Sequence, residues 1–114
     1  MFEFVNLTPH TINPEGMEPL APSGQVARVK MTSREIKPKR GQTFPAPFLL
    51  STPGEVEGLP APRKGVLLVV SAMVRTASGR GDLVSPGPQT RDEKGRPVLC
   101  HGFEVNPSFE GLEV

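Results

Sequence analysis

Residues 66–88 read VLLVVSAMVRTASGRGDLVSPGP, and this stretch sets the fold class. Val66 to Val70 is an unbroken apolar run, three of its five residues β-branched. A short apolar run bounded by turn signals reads as a buried strand. The pattern then changes to Ser71-Ala-Met-Val-Arg-Thr-Ala-Ser78, with helix-like spacing. It closes on a polar loop, Gly79-Arg-Gly-Asp82, and a Pro/Gly-rich turn. A strand leading into a helix start at a serine leaves backbone N–H groups pointing out of the helix end, a common place for a ligand.

Outward from this stretch, Phe2 to Thr8 reads as a strand with apolar residues on both faces, hence inside a sheet. Asn13-Pro-Glu-Gly16 has the residues of a type I turn, with Met17 to Leu20 returning antiparallel. Pro22-Ser-Gly24 is a second turn. Val26 to Met31 alternates with one wet side. From Thr32 the alternation fails, and residues 41–65 hold five prolines and four glycines, so they read as mostly loop. Phe44, Phe48, Leu49 and Leu50 are expected to tuck into the core. Arg91 to Arg96 reads as a hairpin tip and Val98 to Val105 as its return strand. The expected fold is a β-rich α+β single domain over residues 1–105. It has about five or six short strands, one short helix and long Pro/Gly-rich loops. Residues 106–114 are expected to form a mobile tail.

Composition narrows the function. Leu, Ile, Val and Phe total 30 of 114 residues, enough for a core, and Gly plus Pro total 26. Residues 1–57 carry six basic and six acidic side chains, and residues 58–114 carry seven and six. Duplex nucleic acid is therefore not an expected partner. With no Trp or Tyr and six scattered Phe, an aromatic platform for single strands is not expected either. One cysteine, Cys100, forms no internal disulfide, which points to a reducing compartment. No signal-peptide pattern or membrane span is read, so a cytoplasmic, non-membrane protein is expected.

Seven residues form the candidate ligand-binding set: Asn6, Thr8, His10, Ser71, Arg75, Arg80 and Asp82. Ser71 reads first as a helix N-cap and, alternatively, as one donor of an anion site. Arg75, Arg80 and Asp82 read as a loop-holding ion pair or as a guanidinium fork held for a carboxylate or phosphate. Asn6, Thr8 and His10 share one strand face and read as backbone partners or as a polar cluster. His10 could serve as general base with Asp82 or Ser71, although no activating nucleophile motif is present. Cys100-His101 lacks metal-ligand spacing, since neighbours on a strand face opposite ways. No P-loop or dinucleotide motif appears, and no cofactor or metal is expected.

The set Asn6-Leu-Thr-Pro-His10, Pro22-Ser-Gly24 with Ala27-Arg-Val29, Glu57-Gly-Leu-Pro60, Val70-Ser71 and Arg80-x-Asp-Leu-Val-x-Pro-Gly87 resembles a family of small, mostly uncharacterised phage and bacterial proteins. The Asn-Leu-Thr-Pro-His opening is its most recognisable mark. The resemblance covers roughly residues 4 to 103. It implies a small phage-type gene product, of a sort that often binds and interferes with host machinery. The first expectation is a binder of a small anionic, nucleotide-like ligand that sequesters a host defence signal. The second is a protein-interaction module docking on a host or virion protein through residues 34–65, and homo-oligomers are compatible with either. The third is a small hydrolase.

Overall fold

The computed structural model describes residues 2–109. Eight strands and one helix follow in order: β1 (Glu3–Asn6), β2 (Arg28–Ile36), β3 (Phe48–Glu57), β4 (Val66–Val69), α1 (Ala72–Ser78), β5 (Leu83–Pro86), β6 (Gln89–Arg91), β7 (Pro97–Cys100) and β8 (Phe103–Val105). This is a β-rich α+β domain, as the sequence leads one to expect. The main sheet has the order β1-β4-β5-β8. β1, β4 and β5 are parallel, and β8 closes the sheet antiparallel to β5.

The apolar run is explained by burial on both faces. All five residues Val66 to Val70 are buried. Val66, Leu68 and Val70 pack with Leu7, Ala27, Val74 and Leu83 on the α1 side. Leu67 and Val69 pack with Val84 on the other, under Phe4, Ile12, Leu20 and Phe103. A strand covered on both sides has no wet face and so no alternation. Ser71 caps α1, its hydroxyl accepting from the Val74 N–H at 3.3 Å, and Gly79 ends the helix with its N–H on the Arg75 carbonyl. Ser71→Ala should lower stability by about 1 kcal/mol, read as a shift in urea midpoint at unchanged m-value.

Several local expectations are corrected. β1 lies at the sheet edge, not inside it. Residues 17–20 form no strand, only a single bridge between Ile12 and Leu20, and the preceding turn spans Pro14 to Met17. β2 continues to Ile36, and the ten-residue β3 runs through the supposed loop. The two pair antiparallel, Arg34 opposite Leu50 and Ile36 opposite Phe48. Pro53 and Gly54 sit beside a register shift that a two-stranded ribbon absorbs without breaking. Phe48, Leu49 and Leu50 are exposed rather than in the core, and Phe44 is half-buried against Phe48.

The ribbon's base, Val29 and Val56, is packed into the core. Beyond it the strands project as an arm. The radius of gyration is 17.8 Å and the extents are 60 × 37 × 33 Å, against about 13 Å for a compact chain of this length.

The expected return strand is split. β7 pairs with β6, the chain turns at Gly102 (φ +84°), and β8 joins the main sheet. At the β6–β7 tip the Arg96 N–H donated to Asp92 holds that carboxyl below the usual carboxylate range. Within the segment 106–109 Asn106 is buried, and Phe109 packs on the sheet. The remainder of the expected mobile tail, residues 110–114, lies outside the described residues.

Candidate functional site

Asn6 leaves β1 and ties down the chain that follows. Its Nδ2 donates to the His10 and Leu20 carbonyls, at 2.8 and 2.9 Å. Its Oδ1 accepts from the Thr8 N–H and the Thr8 hydroxyl. Asn6 is therefore fully used in folding the 6–10 turn against residue 20. Thr8 donates to its neighbours, and His10 is exposed, its ring bonded to neither Ser71 nor Asp82.

Arg75 is likewise committed to the scaffold. From α1 its Nε donates to Ser85 Oγ at 2.8 Å and its Nη1 to Asn106 Oδ1 at 2.9 Å. Nη1 also reaches the Val105 carbonyl, and Nη2 meets the exposed Glu104 carboxylate. Asn106 returns two bonds, to the carbonyls of Arg75 and Arg80. The guanidinium joins the helix to β5 and β8 and spends four of its five N–H groups on these bonds.

Arg80 forks onto Asp82, Nε to Oδ1 at 2.9 Å and Nη2 to Oδ2 at 2.6 Å. The pair does not face Ser71. β4 and β5 are parallel, with Leu68 beside Leu83, so Asp82 stands at the beginning of these strands. Ser71 and the Asn6–His10 turn stand at their far end, where Asn6 is beside Val69. The seven expected residues thus fall into separate places and do not line one pocket.

A cleft of about 420 Å³ opens at the Arg80 end, between Phe2, Lys64, Arg80, Asp82, Ser108 and Phe109. Arg63 also lines it. Arg63 and Lys64 are exposed, and among the described residues their side chains form no ion pair. The Arg80 Nη1 has no hydrogen-bond partner among them either. Gly81 lets the loop pass under residue 108, since a Cβ there would run into the Ser108 carbonyl oxygen. Among the described residues the cleft holds three cations and one carboxylate, the latter paired with Arg80, a net positive lining.

A second arrangement escaped sequence reasoning. His101 Nε2 meets Thr90 Oγ1 at 2.6 Å, and its Nδ1 meets Glu15 Oε2 at 3.0 Å. The order is hydroxyl, imidazole, carboxylate. His101 and Glu15 are 40% and 64% exposed, however, so water surrounds the chain of bonds and it ties the hairpin to the 13–17 turn. Residues 86 positions apart gave no local signal. Cys100 is buried, its thiol donating to the Gly102 carbonyl. Among the described residues no three His, Cys, Asp or Glu side chains cluster as a metal site, and no helix is long and apolar enough to cross a membrane.

No protein-family model matches the chain, and no curated protein or solved structure matches it either.

Proposed function

We propose that this is a binding protein whose ligand is small and anionic, held in the cleft between Arg63, Lys64 and Arg80. One observation carries the reading: among the described residues three cations border a concave site of about 420 Å³, and the one carboxylate there is spent orienting Arg80. That volume falls in the range of small-molecule sites. Asp82 fixes the guanidinium plane and leaves Nη1 for a phosphate oxygen, while Arg63 and Lys64 supply charge. Phe2 and Phe109 give an apolar wall for a base. In the phage-type setting that the Asn-Leu-Thr-Pro-His resemblance implies, the ligand is a nucleotide-like host signal that the protein sequesters in the cytoplasm.

Charge reversal separates this reading from a merely structural role. Lys64→Glu touches no hydrogen bond of the fold and should leave the melting temperature unchanged. Arg80→Ala should weaken phosphate binding by about 1.5–3 kcal/mol, the net worth of a hydrogen bond to a charged group. Arg80→Lys should restore it only in part, because an ammonium cannot pair with Asp82 and phosphate in one plane. Calorimetric titration of the variants with nucleotides and cyclic oligonucleotides reads all three. Equal affinity in all of them would return Arg80 to the scaffold.

The arm favours a second reading, an interaction module with β2–β3 as contact surface. Phe48, Leu49 and Leu50 stand exposed on a projecting ribbon, where a monomer would gain by covering them.

A further inference from the structure

We infer that the distal half of the β2–β3 arm binds single-stranded nucleic acid. This rests on the second reading, of the arm as a contact surface, and is independent of the Arg80 cleft. Charge is the first observation. Residues 31–53 carry four basic side chains and one acidic, whereas the rest of the chain carries nine and eleven. The near-neutral whole thus conceals a positive arm on a negative body, a polarity that draws phosphate to the arm.

The second observation is aromatic. Phe44 and Phe48 are brought together at the tip, ring centroids 4.3 Å apart and planes 24° from parallel. Phe48 is 43% exposed, so the stacked pair presents aromatic surface to solvent. The register sets Phe48 beside Ile36, and Leu50 beside Arg34 two residues on, so all four share one face. Bases stacked on the rings would run their phosphates past Arg34 towards Lys37, Lys39 and Arg40.

The third observation is a cleft of about 430 Å³ at the same tip, bordered by Lys37, Pro38, Thr43, Phe44 and Pro47. It offers room for one unstacked base. Glu35 also borders it, the arm's one distal carboxylate. Basic residues along an aromatic surface are how proteins hold single strands without reading sequence. A duplex offers no free base face to the rings or the cleft. An acidic polypeptide would use the charge and leave both idle.

Fluorescence anisotropy with a labelled oligo-dT of about 20 nucleotides tests this, beside a duplex of equal length and polyglutamate. The single strand should bind best. Its log K should fall against log salt with a slope near −0.7 for each phosphate neutralised. Replacing Lys37, Lys39 and Arg40 by Ala should flatten that slope. Phe48→Ala should weaken binding about 5- to 150-fold and leave the slope alone, as loss of one stacked base does. Glu35→Gln should tighten binding. Lys94→Glu, exposed at the β6–β7 tip and outside both clefts, should change nothing. These side chains lie outside the core, so melting temperatures should hold. Failure to bind the single strand at low salt, tighter binding of duplex or polyglutamate, or indifference to Phe48→Ala each overturns the inference. Amide exchange separates that failure from failure of the arm itself. Residues 31–36 and 48–53 should exchange faster than Val66 to Val69, and equal protection would mean that the arm is packed down and is no contact surface.

Discussion

Arg75→Ala should lower the unfolding free energy by about 3–5 kcal/mol, although residue 75 lies on a seven-residue helix near the surface. The physical reason is what the guanidinium leaves behind. Ser85 and Asn106 are 0% and 4% exposed, and each loses a charged donor that water cannot replace. Orphaning a buried polar group costs about 1–3 kcal/mol, and two are orphaned here. The Glu104 contact adds little, since that carboxylate is more than half exposed. Arg75→Lys should recover little, because a single ammonium cannot reach both Ser85 and Asn106. Urea unfolding of the three proteins gives the numbers. A loss under 1 kcal/mol for the Ala variant would show that the helix is not tied to β5 and β8 through this residue.

Leu83→Ala should cost about 2–5 kcal/mol, the range for a fully buried leucine cut back to a methyl. Leu83 is 0% exposed and packs between Leu68 of β4 and Val74 of α1, where sheet and helix meet. Rigid strands on one side and a capped helix on the other leave little room for collapse into the gap. The loss should therefore lie in the upper half of that range. By contrast Leu49→Ala, at 63% exposure on the arm, should change stability by less than about 0.5 kcal/mol. Thermal or urea unfolding of this pair checks whether the core lies in the main sheet rather than under the 41–65 segment.

What was legible in the sequence follows from how locally each signal is written. The Val66–Val70 run and the Ser71 cap are contiguous, and both are where the chain pattern puts them. The Arg91–Arg96 hairpin tip was legible for the same reason. β3 was not, because the 41–65 segment holds five prolines and four glycines and so reads as loop, whereas only Pro53 and Gly54 of these fall inside the strand. With Phe48, Leu49 and Leu50 exposed, it also lacks the inward–outward alternation that marks a strand on a core. The split at Gly102 was hidden because a strand pattern continues through it, and only the partner strand changes.

The candidate site was legible as residues and not as a place. Arg80 and Asp82 do pair, as their spacing suggests. Their distance from Ser71 depends on the parallel register of β4 and β5, which no local pattern encodes. Open parallel sheets usually hold ligands beyond the carboxyl ends of their strands. Here that end is occupied by the self-satisfied Asn6 turn, and the basic cleft lies at the opposite end. Arg63 and Lys64 carry no motif, yet among the described residues they supply the cleft's cations that form no ion pair.

If the Arg80 cleft takes a phosphorylated ligand, thermal-shift titration of the wild-type protein with nucleotides and cyclic oligonucleotides will register it. At a hundredfold excess over Kd, a ligand that binds only the folded state adds about 2.7 kcal/mol of stability. A saturable rise in Tm is expected with at least one such compound, moved to about tenfold or more higher ligand concentration in Arg80→Ala and reduced in Lys64→Glu. No rise with any phosphorylated compound up to millimolar concentration, or a rise unmoved by both substitutions, would contradict that reading.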